Sequence, residues 1–175
     1  NYNVYVTGVA IQNTSNGQDL VVLKYDGNGV LKWDYFYDNN GTPTPTDVGT
    51  AITGDNNGNI FVTGSSFGTN TLADYVVLKL KANNGIKIWE KRYDFNGLNE
   101  IPAKIELKGN NLYVSGASQV GPNKWELATL MYKTSDGTLL GERRSVGNAT
   151  QGVNEINDLT IDDNGDIYIT GAVNN

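Results

Sequence analysis

The sequence predicts an all-β fold: a β-propeller of four-stranded antiparallel blades, present as an incomplete segment of about three blades. Three observations favour it, namely a pentapeptide that recurs at a nearly fixed interval, short apolar segments between the copies, and glycine-containing tight turns. The pentapeptide glycines are separated by 56, 52 and 55 residues. Its four copies are Val4-Tyr-Val-Thr-Gly8, Ile60-Phe-Val-Thr-Gly64, Leu112-Tyr-Val-Ser-Gly116 and Ile167-Tyr-Ile-Thr-Gly171.

Each repeat contains four short segments, labelled strands A to D in the order of a propeller blade. Strand B is the pentapeptide, strand C opens with an acidic residue, strand D follows a turn glycine, and strand A precedes the next pentapeptide. The predicted C strands are Asp19–Tyr25, Asp74–Leu80 and Glu126–Tyr132, the D strands are 30–37, 86–93 and 138–145, and the A strands include Thr50–Thr53, Ala103–Leu107 and Asp158–Ile161.

This order predicts thirteen strands in a single propeller segment over residues 1–175. The approximate blades are 1–45 with strands B to D, 46–98 and 99–149 with all four strands, and 150–175 with strands A and B. Propellers close with about 4–8 blades, so we expect the chain to be a piece of a longer polypeptide. The remaining blades would come from the parent chain or from another copy.

Residue patterns within the segments indicate which strands are buried. Strands B and C are apolar at nearly every position, which predicts that both of their faces are covered. Strand D alternates apolar and charged residues, as in Ile86–Arg92, which suits an outer edge. The Asn-Gly and Asp-Gly turns of Asp26–Gly29, Asp55–Gly58 and Asp162–Gly165 predict close hairpins. A β-solenoid or a series of sandwiches is the alternative architecture.

The middle repeat resembles a known family. The stretches 55–66, 74–80 and 85–93 look like the bacterial SBBP repeat, named for the seven-bladed β-propeller. The resemblance spans the chain and is weakest in the third repeat, where Gly141 replaces the tryptophan of the first two. It implies an exported bacterial protein, often of surface-living Bacteroidetes, in which such repeats are usually non-catalytic. It implies no particular ligand.

Composition narrows the function classes. The chain has no cysteine and no histidine, which removes thiolate chemistry and the commonest general base and metal ligand. Its net charge of −6 disfavours nucleic acid, and no apolar run approaches the length of a membrane helix. We therefore predict no enzymatic activity, no catalytic or metal-binding residues, no cofactor, no nucleic-acid partner and no membrane insertion.

Three recurring motifs have a structural and a functional interpretation. The acidic turn Asp162–Asp166 superficially resembles a calcium loop, but hairpin formation is favoured. Trp33 and Trp89 resemble the tryptophan-docking repeat of quinoprotein dehydrogenases, and packing between blades explains them without a quinone. The acids that open strand C could form a ring of charge for a cation, although bonding to loop backbone at the strand entrance is favoured; they are Asp19, Asp74 and Glu126.

Loop lengths predict where a partner binds. The A-to-B and C-to-D turns are tight, whereas the B-to-C loops (9–18, 65–73, 117–125) and D-to-A loops (38–46, 94–102, 146–154) are long and dissimilar. Both sets emerge on one face, and binding residues concentrate on loops held by a rigid scaffold. The candidate ligand-binding residues are Phe67, Phe95, Asn99, Glu100, Lys124 and Trp125, with drift in unconstrained loops as the alternative.

The sequence therefore predicts a non-enzymatic interaction or adhesion module of an exported or cell-surface bacterial protein. Its partner would be a protein or a glycan that binds through the long-loop face. Two alternatives remain: part of a polysaccharide hydrolase or lyase, and a structural spacer in a surface filament.

Overall fold

The computed structural model describes residues 2–11, 17–39, 46–145 and 153–173. Within these ranges the chain is all-β, with no helix and thirteen strands, as the repeat predicted. The strands are β1 (Val4–Ala10), β2 (Asp19–Tyr25), β3 (Leu31–Tyr37), β4 (Asp47–Gly54), β5 (Asn59–Phe67), β6 (Ala73–Lys81), β7 (Lys87–Tyr93), β8 (Glu100–Lys108), β9 (Asn111–Gly121), β10 (Lys124–Lys133), β11 (Leu139–Ser145), β12 (Val153–Ile161) and β13 (Ile167–Val173). No helix that could span a membrane occurs in the described ranges.

The strands form four antiparallel sheets, and within each sheet the strands are paired in the order of the sequence. The first sheet contains β1 to β3, the second β4 to β7, the third β8 to β11, and the fourth β12 and β13. At one end of the second and third sheets, tight turns join β4 to β5, β6 to β7, β8 to β9 and β10 to β11. These are the predicted A-to-B and C-to-D turns. We call the opposite end, which carries the connections β3–β4, β5–β6, β7–β8 and β9–β10, the loop end.

The middle strands of the second sheet are buried on both faces, as their sequence predicted. In β6 every residue except Lys81 is buried. Val76 and Leu78 pack toward the first sheet with Leu20, whereas Tyr75 and Val77 pack toward the third. This burial on both sides explains why the strand is apolar at consecutive positions rather than at alternate ones.

The same tryptophan contact joins the first sheet to the second and the second to the third. Trp33 Nε1 donates to the Ala82 carbonyl at 3.2 Å, and Trp89 Nε1 donates to the Thr134 carbonyl at 3.2 Å. Each indole lies against a turn glycine of the next sheet: a Cβ added to Gly85 would meet Trp33 at 2.9 Å. The predicted packing role of these tryptophans is therefore confirmed.

A tyrosine contact repeats beside each tryptophan. Tyr37 donates to Glu90 Oε1 at 2.8 Å and accepts from Arg92 at 3.1 Å. In the same way Tyr93 donates to Glu142 Oε1 at 2.6 Å and accepts from an arginine of the third sheet at 2.9 Å. Successive sheets are thus joined by equivalent polar as well as apolar contacts.

The tight turns form as predicted. Asp162 Oδ1 accepts hydrogen bonds from the backbone N–H groups of Asn164 and Asp166, both at 2.9 Å. Asp26 and Asp55 cap their turns in the same way. The turn glycines, for example Gly58 at φ 77°, adopt the left-handed conformation that these hairpins require. The hairpin interpretation of the acidic turns is confirmed.

The prediction of long B-to-C and D-to-A loops is wrong in several places, because strands extend into them. The connection between β9 and β10 is only two residues, with Asn123 at φ 57°, where a loop over 117–125 was expected. The strand β8 begins at Glu100, inside the expected loop 94–102. The segments 12–16, 40–45 and 146–152 of the other predicted loops lie outside the described residues.

Candidate functional site

The six candidate residues all lie at the loop end, four of them in strands and two in a connection between strands. Four are in strands rather than in loops, which corrects the prediction: Phe67 ends β5, Glu100 opens β8, and Lys124 and Trp125 open β10. Phe95 and Asn99 lie in the connection between β7 and β8, as expected. The side chain of Lys124 is exposed, whereas that of Phe67 is half-buried.

Two of the candidates have structural partners at the loop end of the third sheet. The Phe95 ring stacks on the guanidinium of Arg144, with 3.7 Å between Cζ and the ring centroid. Asn99 donates from Nδ2 to Gln119 Oε1 at 2.9 Å, and its carbonyl accepts from the Gln119 N–H at 2.7 Å. These contacts hold the β7–β8 connection against the third sheet.

Glu100 is not on the surface. Its side chain is fully buried, and Oε1 accepts a hydrogen bond from Ser118 at 3.2 Å. Burial raises the pKa of this carboxyl to about 7, because the charged form loses its hydration. Glu100 therefore cannot contact a partner at the surface, and its interpretation as a ligand-binding residue is corrected to one in the core.

Trp125 lines a groove of about 310 Å³ between the third and fourth sheets. The half-buried indole shares the groove with the exposed side chain of Ile101 and with Ile156. The exposed carboxylate of Glu155 provides the charged group of the lining. An apolar groove with few polar groups is the usual character of a small-ligand site.

The position of Trp125 is not part of the repeated packing. It immediately precedes the acid that opens strand C, and the equivalent residues are Gln18 in the first repeat and the buried Ala73 in the second. Trp33 and Trp89, by contrast, make the same inter-sheet contact twice. The third sheet therefore has an aromatic residue that the architecture of the repeat does not require.

A row of polar side chains crosses the loop end of the second sheet. Asp47, Ser66 and Asp74 lie opposite one another on β4, β5 and β6. Arg92 donates to Asp74 Oδ2 at 2.7 Å and to Ser66 Oγ at 2.8 Å. Ser66 in turn bonds to Asp47, so one arginine stabilises the charge on two strands.

The third sheet repeats this row. Glu100, Ser118 and Glu126 lie opposite one another on β8, β9 and β10. Arg144 donates to Glu126 Oε2 at 2.8 Å and to Ser118 Oγ at 2.9 Å. The structural role predicted for the acids that open strand C is confirmed for the second and third sheets, but their partners are arginines rather than loop backbone.

Sequence reasoning missed these arginines. Arg92 and Arg144 each lie seven residues after a turn glycine, Gly85 and Gly137, at equivalent positions of strand D, so their recurrence was visible in the sequence. In the first repeat the equivalent position is Phe36, and Ala10 replaces the serine. The first sheet therefore lacks both groups that stabilise the acid on its strand C.

Among the residues that the structure describes, carboxylates from adjacent sheets meet at the loop end in two clusters. The first acidic cluster contains Asp19, Asp38 and Asp47, and the second acidic cluster contains Asp74, Asp94 and Glu100. In each, one oxygen from every residue lies within 4.8 Å of an oxygen from the other two. Each cluster combines the acid that opens strand C, an acid just after strand D, and the acid that opens strand A of the next sheet.

A comparison with protein-family models and with curated protein sequences finds no match to this chain.

Proposed function

We propose that the chain is a β-propeller segment that binds a neutral glycan through the groove at Trp125. The propeller arrangement is supported by the way in which the sheets follow one another. The indole contact and the tyrosine contact recur between the first and second and between the second and third sheets, as expected for one packing operation applied repeatedly.

The contacts of the first strands also support a propeller. β4 contacts β8, and β8 contacts β12, so the first strands of successive sheets lie next to one another. In a propeller these are the strands that surround the central axis. The outer strands β3, β7 and β11 carry exposed and charged residues, in keeping with a solvated rim.

The single observation that carries the binding function is the partly exposed Trp125 outside the repeated packing. An aromatic face is apolar and matches the C–H groups on one face of a pyranose ring, while Glu155 offers acceptors for sugar hydroxyl groups. The net charge of −6 and the carboxylate in the groove would repel an anionic polymer. The chemistry therefore favours a neutral glycan over a charged one.

A non-catalytic role is supported by the ion pairs of two acids that open strand C. Asp74 and Glu126 accept hydrogen bonds from arginines of their own sheets, so their charge already serves the fold. The resemblance to the SBBP repeat supports a non-catalytic module of an exported or cell-surface bacterial protein. A protein partner, a hydrolase or lyase, and a structural spacer are the alternatives; the following experiment separates glycan binding from all three and identifies a hydrolase or lyase by the chain ends that it releases.

The test is affinity gel electrophoresis of the 175-residue chain in gels that contain one soluble polysaccharide each, neutral or anionic. We expect at least one neutral polysaccharide to retard the chain, Trp125→Ala to abolish the retardation, and Phe67→Ala, at the loop end of the second sheet, to leave it unchanged. Tryptophan fluorescence should shift on binding in the wild type and not in Trp125→Phe.

Migration that no neutral polysaccharide affects, or equal retardation of Trp125→Ala and the wild type, would overturn the proposal. Release of reducing ends during incubation would instead identify the hydrolase alternative. Retardation by anionic polymers alone would place binding outside this groove.

A further inference from the structure

The first acidic cluster brings three carboxylates together where the first and second sheets meet. Asp19 opens β2, Asp38 directly follows β3, and Asp47 opens β4. A hydrogen bond from the Asp47 N–H to the Gln18 carbonyl at 2.7 Å holds the two strand starts side by side. One oxygen from each acid lies within 4.8 Å of the others. This spacing allows the three oxygens to contact one ion.

Each carboxylate of this cluster has one buried oxygen without a hydrogen-bond partner in the described ranges. Asp19 is 2% exposed and Asp47 is 0% exposed. The Oδ1 atoms of Asp19, Asp38 and Asp47 are all shielded from solvent, and none has a hydrogen-bond partner among the residues that the structure describes. Buried polar atoms are almost always bonded, and a buried charge without a partner costs several kcal/mol.

The hydrogen bonds that Asp47 does form leave the three buried Oδ1 atoms without partners in the part of the chain that the structure describes. Asp47 Oδ2 accepts from the Asn39 N–H at 2.9 Å, and Ser66 also bonds to this carboxyl. Arg92 donates to Ser66. Burial raises the pKa of Asp47 and the charge of Arg92 opposes this rise, but the two side chains form no ion pair within 4.0 Å in the described residues. No lysine or arginine forms an ion pair with any of the three acids in the described ranges.

The corresponding acid of the second sheet has the counter-charge that Asp19 lacks. Asp74 bonds to Arg92, whereas Phe36 occupies the arginine position beside Asp19. The third member also differs, because Asp94 is exposed and accepts the Gly97 N–H at 2.7 Å, whereas Asp38 Oδ1 is buried without a partner in the described ranges. The second cluster also has buried oxygens without a partner among the described residues, Asp74 Oδ1 and Glu100 Oε2, but Arg92 balances the charge of Asp74, so the first cluster has more unbalanced negative charge.

We propose that Asp19, Asp38 and Asp47 bind one Ca²⁺ ion that joins the first and second sheets. Ca²⁺ takes about 6–8 oxygen ligands at roughly 2.3–2.6 Å and tolerates irregular geometry, so three carboxylates can supply part of its shell. Mg²⁺ demands an octahedral shell and keeps most of its water, which suits a buried set of three carboxylates less well. Composition had led us to expect no metal site, since the chain lacks histidine and cysteine, but Ca²⁺ requires neither.

The ion would do in the first sheet what arginine does in the second and third. It would neutralise the buried acid of strand C and, at the same time, bind the acid of strand A in the next sheet. This site is separate from the Trp125 groove, which lies between the third and fourth sheets. Either proposal, calcium binding or glycan binding, can therefore be refuted without affecting the other.

The first test is calorimetric titration of the EDTA-treated 175-residue chain with CaCl₂, together with its thermal unfolding with and without Ca²⁺. We expect one Ca²⁺ per chain with a dissociation constant on the order of 10⁻⁵ to 10⁻³ M, a raised unfolding temperature, and weaker binding of Mg²⁺. An unfolding temperature and a titration that do not change up to about 10 mM Ca²⁺ would overturn the proposal.

The second test uses a matched pair of variants from the two clusters. Asp38→Asn should weaken Ca²⁺ binding by about tenfold or more, since it removes one ligand charge. Asp94→Asn changes the equivalent residue of the second cluster and should leave the affinity within about twofold. Equal effects of the two substitutions, or loss of binding in Asp94→Asn alone, would contradict the assignment.

Asp19→Asn tests the buried ligand, with circular dichroism to check the fold. A folded Asp19→Asn chain should show no stabilisation by Ca²⁺. If this variant unfolds, Asp38→Asn still decides the question, because Asp38 is only half-buried and its substitution leaves the apolar core intact. A folded Asp19→Asn chain that binds Ca²⁺ like the wild type would refute the site.

Discussion

The first and second acidic clusters occupy equivalent places between successive sheets, yet their charge is balanced differently. In the second, Arg92 bonds to Asp74, and burial raises the pKa of Glu100 to about 7, so one acid is paired and another is partly protonated at neutral pH. In the first, Phe36 stands where the arginine would be. The same backbone arrangement therefore occurs with and without an arginine counter-charge, and the side chain on strand D decides which.

The largest expected effect is the loss of the arginine that balances the second cluster. Arg92→Ala leaves the Asp74 carboxylate buried without its ion pair, and we expect the free energy of unfolding to fall by about 3–5 kcal/mol in urea titrations. Arg143→Ala is the control, because this exposed arginine donates to the backbone carbonyl of Glu142 and should change stability by less than about 0.5 kcal/mol. Similar losses in both variants would mean that Asp74 does not depend on Arg92.

The next effect is a pH dependence from Glu100. Its pKa is raised on folding from near 4.5 to about 7, so the folded state retains the proton over a range in which the unfolded state has lost it. Stability contributed by this group is complete below pH 4.5 and declines as pH rises toward 7, by roughly 3 kcal/mol in all. Urea titrations from pH 5 to pH 8 should show that the stability of Glu100→Gln lacks this decline. If the stability of the wild type and of the variant changed with pH in parallel, the assignment to Glu100 would be refuted.

A smaller effect should follow from giving the first sheet its missing arginine. Phe36→Arg with Ala10→Ser recreates the pattern of the second and third sheets, and the new charged hydrogen bonds should add about 1–3 kcal/mol to the stability of the calcium-free chain. The same double variant should lose the stabilisation by Ca²⁺. Stabilisation by Ca²⁺ equal to that of the wild type would show that arginine and the ion do not substitute for one another.

The smallest effect concerns a contact that the two sheet junctions share. Tyr37→Phe and Tyr93→Phe each remove a hydroxyl that bonds to a glutamate and an arginine of the next sheet. We expect each substitution to lower the free energy of unfolding by about 1 kcal/mol in urea titrations, and the two losses to be similar. A large difference between the two would mean that the junctions differ in more than their acidic clusters.

The sequence was sufficient to predict the strands and turns, because local patterns determine both. Positive φ at Gly58 and burial on both faces of β6 follow from the order of residues alone. The lengths of the loops could not be obtained in this way. Polar residues at the ends of β9 and β10 resemble a loop, but continued pairing and the left-handed Asn123 close them into a two-residue turn.

The candidate site was harder to predict because it depends on pairing across strands. Glu100 is an acid in an apparently polar stretch, and only its register opposite Ser118 shows that it is buried. The acidic clusters join residues from two sheets, so no spacing within one repeat reveals them. Arg92 and Arg144 could have been found, since a charged residue that recurs at one position of a repeat indicates a repeated partner.

The contact between Trp33 and Gly85 has a consequence for how such a chain can vary. Gly85 tolerates no side chain because the indole of the preceding repeat occupies the space, and Gly137 is restricted in the same way by Trp89 and Lys91. The positive φ of the turn requires glycine independently of the indole, since Gly29 has φ 80° and no atom within 4 Å of an added Cβ. Because every repeat carries glycine at this turn, as Gly29, Gly85 and Gly137, a repeat exchanged by itself would again place the indole of its predecessor against a glycine, and whole repeats can be duplicated without a compensating change at this contact.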